Sequence, residues 1–257
     1  MARLDALPIR AGVLLAGIIG LILGSFLATL VLRWPAGRSL LGRSECDGCG
    51  RSLKPWELVP VLSALFSRGR CGTCGGRIDP FHTRVELCSG LVGAVALALM
   101  PGVSGWAWAV FGWLLLPLAL LDARHFWLPD RLNAALAVAG LLLGERMLQA
   151  SLLDRWIGAL AGGLILAAIA WSYRRARGGE GMGGGDPKLV AAIGCWLGWQ
   201  ALPLMLLLAS AGGIVWALAA QQKGDQPLAL RRVPFGLFAC AAAWAAVPLW
   251  TLLISFR

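Results

Sequence analysis

Residues 11–32 read AGVLLAGIIGLILGSFLATLVL, with no charged side chain along their length. A membrane-crossing helix needs roughly 20 mostly apolar residues. The apolar core of a cleaved signal peptide runs only to about 7–15. The stretch is therefore read as a retained helix. Working outward, further spans are expected at about 85–100, 105–121, 132–150, 155–173, 188–200, 201–220 and 234–256. Between the sixth and seventh lie only Gln200, Ala201, Leu202 and Pro203. Unbroken, that pair would extend nearly 50 Å at about 1.5 Å per residue, well past the ~30 Å hydrocarbon core. A break is expected near Pro203. The expected fold is an all-α polytopic membrane protein of about eight transmembrane helices.

Composition points the same way. Hydrophobic residues make up 58% of the 257, charged residues 14%, and the mean hydropathy is +0.74. A soluble domain carries about a quarter charged residues. A water-soluble globule and a disordered chain are both excluded. Thirteen Trp against one Tyr suit a membrane–water interface.

The net charge of +10 would suggest nucleic acid in a soluble protein. Its placement says otherwise. Eighteen of the 23 Lys and Arg fall in four alternate loops, at 33–84, 122–131, 174–188 and 222–232. The other five are Arg3, Arg10, Arg146, Arg155 and Arg257. By the positive-inside rule the four loops are cytoplasmic and both termini face the opposite side. The charge records orientation against a lipid bilayer, and no nucleic-acid partner is needed.

The one large soluble insertion lies between the first two spans. It holds Cys46-Asp47-Gly48-Cys49 and Cys71-Gly72-Thr73-Cys74, two C-x2-C knuckles 21 residues apart. A two-residue spacer lets both thiolates of a knuckle face one ion, and four thiolates suit a closed tetrahedral zinc site. Gly48, Gly50, Gly72, Gly75 and Gly76 allow the backbone to wrap the metal. Two disulfides or a redox relay are the competing reading, and a cytoplasmic location argues against it. Between the knuckles, Pro55 to Ser63 is apolar enough to form a small core or to lie on the bilayer surface. Cys88, Cys195 and Cys240 sit singly in apolar spans and read as packing residues. Glu86, near the start of the second span, is either a favourable helix-start charge or part of a second activity.

Ionisable groups at membrane depth are functional candidates by default. Asp122 ends the third span, ahead of Leu128-Pro129-Asp130. Asp186 follows Gly183-Gly184-Gly185 and precedes Pro187-Lys188. Asp186 also reads as an N-cap with Pro187 at N1, and Asp130 as a cap after Pro129. Lys188 would either snorkel to the interface or tune Asp186. Both Asp122 and Asp186 fall at the cytoplasmic ends of separate helices, where a bundle could bring them together. Two adjacent carboxylates share one proton. One then takes a proton from water while the other hydrogen-bonds a peptide carbonyl. Serine–histidine catalysis fits poorly, since His82 and His125 are the only histidines and neither accompanies a serine motif. The Walker spacing and a G-x-G-x-x-G fingerprint are both missing.

Gly183-Gly184-Gly185-Asp186-Pro187-Lys188-Leu189 resembles the G-x-G-D motif of the prepilin peptidases, or type IV leader peptidases. Gly183 and Gly185 would be the motif glycines. Gly24-Ser25-Phe26-Leu27, the Cys knuckles, Pro60-Val61-Leu62-Ser63, Arg84-Val85-Glu86-Leu87, and Asp122 with Leu128-Pro129-Asp130 are also similar to that family. The resemblance implies an intramembrane aspartic endopeptidase of the bacterial inner membrane, with both termini periplasmic. Its substrates would be type IV prepilins or type II secretion pseudopilins, cut after a glycine on the cytoplasmic side. It implies Asp122 and Asp186 as the catalytic pair. It also implies zinc on Cys46, Cys49, Cys71 and Cys74, and methylation of the new N-terminus from S-adenosylmethionine, with Glu86 in that half. Residues 1–100, including the four-cysteine loop at about 34–84, would form the methyltransferase-associated part, and 101–257 a six-helix peptidase part. The family's usual Asn after the opening motif is replaced here by Ala28-Thr29, and its Asp-Asn pair after the loop Trp by Glu57-Leu58. Two other classes fit less of the chain. A proton-coupled transporter would carry its acids within the spans, and a membrane-tethered zinc-ribbon adaptor would need neither aspartate.

Overall fold

A computed structural model describes residues 8–40, 42, 44–46, 48–177, 183–221 and 233–255. Asp47, Lys223, Arg231, Arg232, Arg3 and Arg257, used above in the motif and charge readings, lie outside the described residues. The helices are α1 (Ile9–Arg33), α2 (Leu62–Ser67), α3 (Phe81–Leu99), α4 (Val103–His125), α5 (Asp130–Leu148), α6 (Leu152–Arg177), α7 (Asp186–Gln221) and α8 (Phe235–Ser255). A short 3₁₀ turn covers Pro55–Leu58. Six of the described helices, α1, α3, α4, α6, α7 and α8, are long and apolar enough to cross a membrane. α5, with charges at both ends (Asp130, Arg131, Glu145, Arg146), is not among them. The chain is a multi-pass, all-α membrane protein with a cysteine-rich loop between its first two long helices.

The chain forms two compact units, Met1–Trp113 and Leu114–Arg257, with the boundary inside α4. In the first unit α1 packs along α3 through small residues. A side chain on Gly24 would come within 2.6 Å of the Glu86 backbone and 2.9 Å of Ser89. Gly20 and Gly93 are closed in the same way, against the backbones of Ser89 and Ala16. Lipid tails are as apolar as leucine, so helices in a bilayer gain by close backbone approach, which small residues permit. Trp113 donates its indole N–H to the Ser89 carbonyl at 2.9 Å.

The second unit is built on α7. Its 36 residues are two helices joined at Gly198, whose φ of 72° and ψ of 175° lie outside the helical region. The break expected near Pro203 thus falls five residues earlier. The reason is steric: only glycine adopts this backbone without strain, whereas a proline can be carried within a helix. The break is a reversal. Val190, eight residues before Gly198, and Leu202, four after it, both crowd Gly162 of α6. On a straight helix those residues would stand about 18 Å apart. The first arm, Asp186 to Leu197, is about 18 Å long, shorter than the hydrocarbon core.

Polar bonds secure the end of the unit at this reversal. Ser151 and Asp154 form a reciprocal cap at the start of α6, with the Asp154 N–H on Ser151 Oγ at 3.1 Å and the Ser151 N–H on Asp154 Oδ2 at 3.3 Å. Trp199, next to the reversal, donates its indole N–H to Asp154 Oδ1 at 2.9 Å. Arg155, read from sequence as a loop charge, is only 2% exposed. Its Nη1 donates to the carbonyls of Gly140 and Leu141 at 2.9 and 2.8 Å, tying α6 to α5.

Candidate active site

Asp122 stands one turn before the end of α4 and is 5% exposed. Its Oδ2 accepts the Leu237 N–H at 2.9 Å. That N–H is in the first turn of α8, where backbone donors lack intrahelical partners and a carboxylate is favoured. The approach needs glycine at 236, since a side chain there would begin 2.9 Å from Asp122 Cγ and Oδ2. Gly236→Ala is expected to lower activity about 10²-fold by displacing this carboxylate. The check is a comparison of kcat with thermal stability, which should fall far less.

Asp186 is 6% exposed. The sequence offered it as the N-cap of the following helix. Instead its Oδ2 turns back to accept the Gly183 N–H at 3.0 Å, and the helix begins at Asp186 itself. A side chain on Gly183 would begin 3.3 Å from the same oxygen. One on Gly185 would begin 2.8 Å from Leu128 Cβ, and Leu128 Cδ1 also lies 3.1 Å from the corresponding point on Gly236. Leu128 therefore fills the space between the glycines flanking each aspartate. Asp122, against Gly236, and Asp186, next to Gly185, thus lie on either side of Leu128. Cys240, one turn past Gly236, is buried.

Pro129, rather than Asp130, is the N-cap of α5, and no side chain caps that helix. Asp130 instead accepts from Lys188 Nζ at 2.7 and 2.8 Å. That ammonium is thus held two residues from Asp186. Both partners are more than half exposed, so the pair contributes little, under about 1 kcal/mol.

In the first unit Glu86 is the sixth residue of α3, beyond the first turn, so it is not a helix-start charge. It is buried, and its Oε2 accepts the Val61 N–H at 2.9 Å. Val61 has φ of 61°, and the Leu62 N–H bonds the Pro60 carbonyl at 2.6 Å across it. This is a γ-turn of the rare positive-φ kind, unusual for a β-branched residue. Glu86 thus fixes a strained turn of the loop against α3.

The two knuckles repeat one backbone pattern. The Cys46 N–H bonds the Arg51 carbonyl and the Gly50 N–H the Cys46 carbonyl; the Cys71 N–H bonds Gly76 and the Gly75 N–H Cys71. Gly50 and Gly75 take φ of 67° and 68°, as the turn requires. All four sulfurs lie within 4.8 Å of one another, with Cys46 Sγ and Cys74 Sγ 3.9 Å apart. Tetrahedral thiolates at about 2.3 Å from one ion would be about 3.8 Å apart. The cluster could hold a metal. The N–H groups of Cys74 and Thr73, with the Arg51 guanidinium, draw the Cys71 thiol down to about 6. Arg51 grips Glu57 at 2.8 and 2.9 Å and, with the Lys54 N–H, draws that carboxyl down to about 2.

Residues 18–100 match the model of the bacterial peptidase A24 N-terminal domain, and residues 109–218 match that of the type IV leader peptidase family. The prepilin leader peptidase/N-methyltransferase of Burkholderia pseudomallei (strain 1026b) is 39% identical over 279 residues, covering 96% of this chain and 88% of that protein. The chain belongs to the type IV leader peptidase family. The proteins of the same name from Aeromonas hydrophila and Stutzerimonas stutzeri are 39% and 35% identical. These matches cover 84% and 93% of this chain, and 74% and 91% of the relatives. No solved structure matches the chain.

As a leader peptidase family member the chain carries site features that its sequence alone left unread. Gly236, Leu237 and the wedge made by Leu128 are among them. Pro234 just before α8 and Gly236 just inside it were the available signal, a proline–glycine pair where a helix starts.

Proposed function

We propose that this protein cleaves the leader peptide of prepilins, with Asp122 and Asp186 as the catalytic pair, and methylates the new N-terminus. The observation that supports the peptidase assignment is a pair of buried carboxylates at the ends of separate helices, on either side of Leu128, each with one oxygen held by a backbone N–H. In this reading the pair holds one shared proton. The ionised member takes a proton from a water as its oxygen attacks the scissile carbonyl. The protonated member donates to the carbonyl oxygen, and collapse of the tetrahedral intermediate returns a proton to the departing amine. Pseudopilins of a type II secretion system are the alternative substrates in this reading.

The membrane is the inner membrane. The four-cysteine loop and both aspartates face the cytoplasm and the termini face the periplasm, in keeping with the distribution of Lys and Arg. The transporter and adaptor readings have no support from the family. The deciding experiment incubates purified protein with a prepilin, with and without S-adenosylmethionine, and weighs the product. Leader loss without the donor, and a further 14 Da on the order of one methyl group with it, is the expected outcome. An unprocessed substrate overturns the peptidase assignment.

The metal of the four-cysteine loop is zinc in this reading, held by Cys46, Cys49, Cys71 and Cys74. The sulfur spacing suits it. When bound, the ion supplies a closed structural cross-link. Elemental analysis should find one zinc per chain, and chelation should open the loop to protease while leaving the long helices intact. Reduced, chelator-free protein without stoichiometric zinc would reject the assignment.

S-adenosylmethionine is the methyl donor implied by the relatives' name. Among the described residues of the first unit, the buried polar side chains Glu86 and Ser89 lie one turn apart in α3. They sit in the α1–α3 seam, which Gly24 closes to backbone contact, and Glu86 already serves Val61. This seam does not fit the donor.

A further inference from the structure

The segment following the strained turn at Val61 is α2. α2 exposes Leu62, Leu65 and Phe66, the last two 68% and 82% exposed. Immediately after it the chain forms an open depression of about 380 Å³ lined in part by Arg68, Arg70 and Arg77. Arg70 and Arg77 face each other across an antiparallel bridge. Like charges directly opposite destabilise such a pair. Among the described residues none of the three arginines has an acidic side chain within ion-pair distance. Asp79, the nearest acid along the chain, turns its Oδ1 to the Phe81 N–H at 2.9 Å.

Two restraints place this surface beside the bilayer. Arg77 precedes Phe81, the first residue of the membrane-spanning α3, by four residues, which is at most about 14 Å of chain. The Val61–Glu86 bond pins the start of α2 to the second turn of that same helix. An exposed apolar helix and three arginines without an acidic partner are thus tethered close to the start of a membrane-spanning helix. Arginine matches phosphate oxygens with paired donors, and apolar side chains beside it suit the acyl boundary.

We propose that residues 62–80 form a docking surface for the anionic face of the bilayer, with Arg68, Arg70 and Arg77 closing on a lipid phosphate and Leu62, Leu65 and Phe66 entering the interface. A soluble phosphate would satisfy the arginines but would leave the apolar face in water. A basic peptide would be repelled by them.

The test is hydrogen exchange of the full-length protein in nanodiscs of zwitterionic lipid and of the same lipid with 30% phosphatidylglycerol, taken here as roughly the anionic content of a charged leaflet. Amides across 62–78 should exchange about tenfold more slowly in the anionic discs, with α7 unchanged as an internal reference. The triple variant Arg68→Gln, Arg70→Gln, Arg77→Gln should lose that difference. Leu65→Ser with Phe66→Ser, which alters only exposed side chains, should reduce it independently. Equal exchange in the two lipids overturns the proposal. So does an equal slowing by inorganic phosphate in zwitterionic discs, which would identify a soluble anion, or slowing that requires added prepilin. Unchanged lipid dependence in both variants also overturns it.

Discussion

Asp122→Asn and Asp186→Asn each reduce leader cleavage on the order of 10³–10⁴-fold, with the protein still folded and inserted. The substitution is nearly isosteric. An asparagine carbonyl can still accept the Leu237 N–H at 122 or the Gly183 N–H at 186. What it loses is the capacity to take up a proton. The change therefore separates chemistry from structure, as an alanine could not. Asp130→Asn is the matched comparison: it removes an exposed ion pair with Lys188 and is expected to alter cleavage by no more than a few-fold. Single-turnover assays on a prepilin, beside the melting curve of each variant, give the answer. If either aspartate variant keeps more than about a tenth of wild-type activity, the pair has been misassigned. A dead Asp130→Asn would point to a different partner for Asp186.

Gly194→Val is expected to have the largest effect on the fold. A first side-chain carbon at 194 would fall 2.5 Å from the Gly158 carbonyl carbon and oxygen, and 2.6 Å from the Ala159 nitrogen. These are backbone atoms of α6, so no rotamer change relieves the clash. Gly158 is closed in return by the backbone of Gly198 and Trp199, at 2.7 and 2.8 Å. The reversal in α7 and the α6–α7 crossing thus depend on the same two glycines. The cost should exceed about 3 kcal/mol, or about 10 °C in melting temperature. Cys195, adjacent and buried, reports on the packing directly. Its labelling by a thiol reagent should become fast in the variant and remain slow in wild type. Slow labelling with an unshifted melt would show that the crossing tolerates a side chain.

Most of the fold was legible because a bilayer imposes a simple rule: long apolar runs become helices. The observed ends of the long helices lie within four residues of those expected. The break in α7 was misplaced because proline draws attention in an apolar run. Yet Pro203 is carried within the helix, while Gly198 adopts a backbone that other residues avoid. The helix-start readings of Glu86 and Asp130 failed for a related reason. Helix-end rules concern neighbours in sequence, whereas Glu86 bonds a turn 25 residues away and Asp130 a lysine 58 residues away. The four-cysteine cluster was readable in full, since two local knuckles of fixed spacing need only meet. Leu128 and Gly236 were not, because their importance arises from shape against residues distant in the chain.

The reversal at Gly198 also sets a parity. Were residues 186–221 one straight rod, the following segment would start from the opposite end of the unit. Gly236 and Leu237 would then be a full helix length from Asp122. One glycine with a positive φ therefore decides on which side the last helix begins. A topology reporter fused after α8 should change compartments in any variant that straightens this bend, even if every helix still forms.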